Sequence, residues 1–173
     1  TEKDRTYIGD PIADMTMGLN LGFNYKNIDF SASAFASLGN DMVRDYERKN
    51  LYSNKGTYVL DSWTTSNPSN TTPKAVNGGS VNYDNFSDYF VEDASYLRIQ
   101  NIQVGYTLGE RISNKIGIRK CRIYVSGNNL FTFTNYKGYD PSATGNGNPI
   151  GAGIDKGFYP VAKTYLLGIN LNF

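Results

Sequence analysis

A chain of 173 residues is long enough for one domain, and 17 basic against 16 acidic side chains lack the basic excess of a nucleic-acid-binding protein. Histidine is absent and Cys121 is the single cysteine. These counts exclude a histidine-ligated metal, a Ser-His or Cys-His nucleophile pair, a cysteine-rich zinc site and an internal disulfide. Because the sequence also lacks a phosphate-binding loop and a nucleophile elbow, we predict a non-enzyme that uses no cofactor.

The first two predicted elements are strands of eleven residues each. In MTMGLNLGFNY, residues 15–25, every odd position is apolar and every even position is small or polar. A period of two is typical of a strand with one apolar face, and eleven residues suffice for a tilted strand to cross a bilayer. Lys26 and Asn27 make a two-residue turn, and residues 28–38 alternate again.

Residues 39–93 break this pattern and are predicted to form one long loop. The stretch TTSNPSNTTPKAVNGGS has the composition of turns, and the only tryptophan, Trp63, lies just before it. So long a connection is uncommon in a compact soluble domain and is usually functional.

Three more strands are predicted, at residues 94–108, 121–134 and 163–173. In the first of them the apolar phase slips near Gln100 and Asn101, which is explained either by a β-bulge or by a first half that rises above the membrane. A second long glycine-rich loop covers residues 137–162, and the closing strand has apolar residues at every odd position from Tyr165 to Phe173.

The chain is therefore predicted to be all-β, with five antiparallel strands and two open interpretations. One is a β-sandwich, and the other is part of a membrane barrel whose apolar face meets lipid. The connections alternate between short (26–27 and 109–120) and long (39–93 and 137–162), as they do in bacterial outer-membrane barrels. Five strands cannot close such a barrel, so we expect most of it to lie in other residues.

Three ordered motifs resemble the C-terminal end of the SusC/RagA family of TonB-dependent outer-membrane transporters of Bacteroidetes. They are DASYLRIQNIQVGYTLG, RIYVSGNNLFTFTNYKGYDP and GIDKGFYPVAKTYLLGINLNF, which lie between residues 93 and 173. The resemblance implies a 22-stranded barrel filled by a plug domain, which is absent from this chain. It also implies energy coupling through the TonB complex, a SusD-like surface lipoprotein as a lid, and import of a glycan or an oligopeptide.

The family resemblance also implies a location in the Gram-negative outer membrane, with extracellular long loops and a periplasmic C-terminus. The last residues fit the signal read by the barrel assembly machinery, at Gly168, Leu171 and Phe173. Two alternatives remain: a soluble or surface-attached β-sandwich that binds carbohydrate, and a siderophore-type TonB-dependent receptor with a small ligand.

Candidate site residues are divided between the strands and the loops. Lipid-facing residues should be Leu19, Leu21, Phe23, Val104, Tyr106, Leu167, Ile169 and Leu171; lumen-facing ones should be Thr16, Asn20, Asn24, Asn170 and Asn172. Six loop residues are candidates for contact with cargo or lid: Trp63, Tyr136, Tyr139, Asp140, Phe158 and Tyr159. For these the competing interpretation is loop folding, with aspartates in side-chain turns and aromatics in a loop core.

Two groups of charged residues are also ambiguous. Arg98 and Arg122 are placed either against the plug or at the membrane interface. Asp84, Asp88, Glu92 and Asp93 form an acidic cluster that is either a calcium site or, as we favour, a solvated loop.

Overall fold

The computed structural model describes residues 5–46, 56–75, 86–109, 112, 117–143 and 151–173. Five long strands form one antiparallel sheet: β1 Met15–Tyr25, β2 Ile28–Leu38, β5 Tyr96–Thr107, β6 Lys120–Thr134 and β8 Thr164–Asn172. They lie side by side in the order β1-β2-β5-β6-β8. The prediction of five antiparallel strands is confirmed, and the alternation that predicts each strand also determines which of its faces is apolar.

Three short strands form a second sheet at the end where the long loops lie. They are β3 (Asp41–Arg44), β4 (Val91–Asp93) and β7 (Ile154–Asp155), in the order β4-β3-β7. Strand β3 is antiparallel to β4 and parallel to β7. The interpretation of residues 39–93 and 137–162 as simple loops therefore misses a sheet that joins them. Short 3₁₀ helices at Thr57–Asp61 and Asp88–Phe90 add local order.

A turn and a bulge set the register of the long sheet. Tyr25 pairs with Ile28 across the two-residue turn, in which Lys26 adopts a φ of 53°, as tight hairpins require. Ser33 and Ala34 of β2 pair with Asn101 and Ile99, so Gln100 is the extra residue of a bulge against β2. Against β6 the extra residue is on the partner strand, because Asn129 and Leu130 both lie opposite Gln100. The phase slip in the sequence is thus a bulge, which returns the apolar residues on both sides of Gln100 to one face.

The described residues bury few large side chains inside the long sheet, and the main hydrophobic cluster lies among the loops. Met42, Ala94, Tyr136 and Ala143 form this cluster, and Phe158 packs against it. We call the described parts of residues 39–94 and 135–162, which contain the short sheet and this cluster, the loop cap. No helix in the described part of the chain is both long and apolar enough to span a membrane.

Candidate functional site

One face of the long sheet is apolar on every strand. Cross-strand pairing aligns its residues in rows, one of which is Phe23, Phe30, Val104, Val125 and Leu167. These side chains are not covered by a second sheet in the described ranges: Leu19, Leu21 and Phe23 are 54–58% exposed. A sandwich would bury this face. A continuous exposed apolar face on five strands marks contact with a partner or a membrane.

The height of this face matches a bilayer. On β1 the apolar residues run from Met15 to Tyr25, which is ten steps of about 3.3 Å, or about 33 Å along the strand. A strand tilted by about 40° converts this length to a height of about 25 Å, the apolar band of an outer-membrane barrel.

The opposite face is polar and carries paired charges. Arg122 on β6 donates from Nε to Asp29 Oδ1 at 2.8 Å and from Nη2 to Asp29 Oδ2, spanning the intervening strand β5. Gly105 lies between them, and a Cβ at that position would overlap both side chains. Asn101, Ser126 and Asn128 form a hydrogen-bonded group on the same face. Such groups suit a water-filled or protein-filled lumen and not hydrocarbon.

Gly168 has a local role on this polar face. It pairs with Tyr124 on β6, and a Cβ at Gly168 would overlap the Tyr124 ring. The guanidinium of Arg122 lies 4.8 Å from the centroid of that ring. Of the other two residues of the predicted assembly signal, Leu171 pairs with buried Cys121 and Phe173 is exposed. Gly168 and Leu171 lie three positions apart and therefore on opposite faces of β8, so the three residues do not share one face of the sheet.

Arg98 is the second arginine of the polar face, and it is bound to a loop. Its Nη2 lies 2.6 Å from Asp140 Oδ1, its Nη1 donates to Ser142 Oγ at 3.0 Å, and both charged residues are buried. The other carboxylate oxygen of Asp140 accepts from the backbone N–H of Val161 at 2.9 Å. Burial raises the pKa of Asp140, but hydrogen bonds from Ser142, Val161 and Arg98 outweigh it, and the net shift is downward.

Tyr136 and Asp155 form the polar centre of the loop cap. Asp155 is fully buried on β7, and its Oδ2 accepts a hydrogen bond from the Tyr136 hydroxyl at 2.6 Å. Its Oδ1 accepts from the backbone N–H of Gly157 at 2.8 Å, which is a side-chain turn. Burial, followed by the contact with Asp155, raises the pKa of Tyr136, which therefore stays a hydrogen-bond donor at physiological pH.

A third ion pair lies within the first long connection and is linked by a hydrogen bond to the second. Arg44 on β3 contacts Glu92 on β4 at 2.7 Å, and the other oxygen of Glu92 accepts from the backbone N–H of Lys137 at 3.1 Å. The Arg44 guanidinium also lies 5.0 Å from the ring centroid of Tyr58 and 5.1 Å from that of Tyr89. Glu92, predicted to be part of a solvated acidic cluster, is instead a structural link.

The six candidate contact residues divide into buried and exposed groups. Tyr136 and Asp140 are buried and fully engaged, so the structure places them in the framework of the loop cap. Phe158 packs partly against its core. Tyr139 and Tyr159 are exposed, the latter by 92%, and Trp63 lies at the boundary between buried and exposed. Of the six, the two tyrosines and Trp63 are the residues whose rings are exposed to solvent.

The acidic cluster does not form a metal site among the described residues, where no group of three acidic, histidine or cysteine side chains is arranged to hold an ion. Asp84 lies outside the described residues. Asp93 accepts from the backbone N–H of Ser95 at 2.8 Å in a side-chain turn.

The sequence reasoning missed Arg44 and Asp155, the two residues that hold the cap strands together. Arg44 occurs in a charged stretch without periodicity, and no feature of the sequence distinguishes it. Asp155 had a usable feature, since an aspartate two residues before a glycine in an aromatic loop is typical of a buried side-chain turn.

Comparison with known proteins identifies one group of relatives. The chain is 35% identical to TonB-dependent receptor P3 of Formosa agariphila and 37% identical to TonB-dependent receptor SusC of Bacteroides thetaiotaomicron, over 98% of its own length in each case. Among solved structures it is similar to the RagAB peptide importer in its open-open state (TM-score 0.71, 32% identity, 91% of this chain) and its closed-closed state (TM-score 0.73, 29% identity, 94% of this chain). The chain spans only 16–18% of the length of these relatives. No protein-family model matches it.

Proposed function

Because the chain belongs to the SusC/RagA family of TonB-dependent outer-membrane transporters, we propose that its five long strands are a stretch of the barrel wall of a nutrient importer. One observation carries this proposal: the sheet has an exposed apolar face about as tall as a bilayer and a polar face with ion-paired arginines. Other residues would supply the remaining strands of a 22-stranded barrel, the plug and the TonB-contacting segment. The barrel assembly machinery would insert the complete barrel into the outer membrane.

We place the loop cap outside the cell and the turn at Lys26–Asn27 in the periplasm. Strands β1 and β5 begin at the cap, and strands β2 and β6 end there, so every long connection lies at one end of the sheet. Long loops are extracellular in bacterial barrels. Protease added to intact cells should therefore cut within residues 67–79 before any strand. Cleavage only after permeabilisation of the outer membrane would reverse this orientation.

The cargo is proposed to be an oligopeptide or a glycan, handed over by a SusD-like lipoprotein that covers the cap. The exposed rings of Tyr139 and Tyr159 support this, because tyrosine offers a large contact area at low cost in conformational entropy. One structural relative is itself described as a peptide importer.

Growth tests the proposal directly. Cells that lack the full-length transporter should lose growth on an oligopeptide mixture or on a glycan as the sole nutrient, and the gene should restore it. Tyr139→Ala combined with Tyr159→Ala should raise the half-saturating nutrient concentration by about tenfold, which corresponds to about 1.4 kcal/mol. A growth defect confined to iron limitation would instead indicate a siderophore-type receptor.

A further inference from the structure

The loop after β6 turns back across the polar face of the sheet. Strand β6 ends at Thr134, yet Asp140 and Ser142 both contact Arg98, whose pairing partner is Thr132. Arg98 Nε donates to Thr132 Oγ1 at 3.0 Å, which fixes the guanidinium on the polar face. We call residues 135–143 the inner strap. Its Asp140 and Ser142 side chains meet the guanidinium of a residue that lies two positions, or about 7 Å along the strand, from the first residue pair of β5 and β6.

Three further contacts tie the inner strap to its surroundings. Asp140 Oδ2 accepts from the backbone N–H of Val161, just before β8, so one carboxylate joins β5, the strap and the entry to β8. Tyr136 is anchored on Asp155, and Ala143 is buried in the cap core. The strap is thus held at its start, middle and end by buried groups.

The ion pair in the middle is sensitive to mutation of either partner. Arg98 and Asp140 are 8% and 6% exposed, and removing one partner leaves the other as an uncompensated buried charge. The second arginine pair of the polar face, Arg122–Asp29, lies at the opposite end of the sheet and serves as a control.

We propose that Arg98 and Asp140 are positioning residues that hold the inner strap over the lumen-facing side of the barrel wall. Cargo that moves along the polar face must then pass the strap before it reaches the rows around Asn101. This inference rests on the proposed function, because only a closed barrel makes the polar face a lumen.

Thiol accessibility in the full-length transporter on intact cells tests the proposal. Ala143→Cys, in a Cys121→Ala background, places a single thiol of this chain in the buried end of the strap. A 5-kDa maleimide-polyethylene glycol should label it slowly while the strap is held. Adding Arg98→Gln should raise the labelling rate by about tenfold or more, whereas adding Arg122→Gln should leave it within about twofold.

Conservative variants separate positioning from general loss of structure. Arg98→Lys keeps the charge but not the three-contact fork, so it should give an intermediate labelling rate. If Arg98→Gln reduces the amount of assembled barrel, Asp140→Asn, which preserves the side-chain shape, replaces it as the test. Equal labelling of Ala143→Cys with and without the Arg98–Asp140 pair would overturn the proposal. Labelling needs neither cargo nor energy coupling, so its outcome is independent of whether the transporter imports the proposed nutrients.

Discussion

Replacing Leu21 with arginine should destabilise the barrel far more than replacing its neighbour Asn20. Both residues lie near the middle of β1, but Leu21 belongs to the apolar face and Asn20 to the polar face. Ten residue steps cover about 25 Å of height, so Leu21 lies only about 2.5 Å from the midpoint of the apolar band.

The magnitude follows from this depth. Arginine on the lipid face costs about 2–4 kcal/mol at the bilayer midplane and about 0–1 kcal/mol near the interfaces. We therefore expect a loss in the free energy of unfolding of about 2–4 kcal/mol for Leu21→Arg. Tyr25→Arg, about 13 Å from the midpoint, should cost about 0–1 kcal/mol, and Asn20→Arg should cost less than Leu21→Arg because its side chain stays in the lumen.

The assay is equilibrium unfolding by guanidinium of the full-length transporter in phospholipid vesicles, with the three variants compared under one condition. A much larger loss in the free energy of unfolding for Leu21→Arg than for Tyr25→Arg and Asn20→Arg supports contact of Leu21 with lipid. Equal costs for Leu21→Arg and Tyr25→Arg would refute the depth argument, since a buried protein–protein face has no membrane midplane.

Three further predictions concern single side chains. Gly168→Ala should lower the free energy of unfolding by about 0.5–1.5 kcal/mol, because the Tyr124 ring must turn away from its rotamer and from the Arg122 guanidinium to admit a Cβ. Gly18→Ala, with open space around it, should be neutral or slightly stabilising in the same unfolding assay. Deletion of Phe173, or Phe173→Asp, should reduce the amount of protein in the outer membrane; normal levels by surface labelling would contradict its role in assembly. Wild type should be more stable than Asp140→Asn above about pH 4, and this difference in the free energy of unfolding should vanish as the pH falls further, because the pKa of Asp140 is lowered in the folded state. Urea unfolding across this pH range measures the difference, and a difference that grows on acidification would contradict the lowered pKa.

The sequence predicts the long strands well because each carries its own alternation. Leu19 and Leu21, for example, show the exposed face of β1 without reference to any other strand. The bulge was visible as a phase slip at Gln100, although only the register of β5 distinguishes it from a change of environment.

The loop cap was not predictable for a physical reason. Strands β3 and β7 are four and two residues long, too short to show a period, and they pair across about 110 residues of chain. The burial of Tyr136 and Asp140 depends on that long-range pairing, so their residue types alone favoured loop folding but left an exposed contact surface open as the alternative. Tyr159 lies in a sequence of similar glycine-rich and aromatic composition to that around Tyr136, yet its side chain is exposed whereas that of Tyr136 is buried.

The most direct test of the central claim is a nitroxide scan of β1 in the full-length transporter reconstituted in phospholipid vesicles, with one label at a time from Met15 to Tyr25. Collision of each label with oxygen, which concentrates in the bilayer interior, reports contact with lipid. A barrel wall predicts high oxygen accessibility at every odd position, greatest near Leu19 and Leu21, and low accessibility at every even position. Equal accessibility on both faces, or protection of the odd positions, would contradict the claim that this sheet faces the membrane.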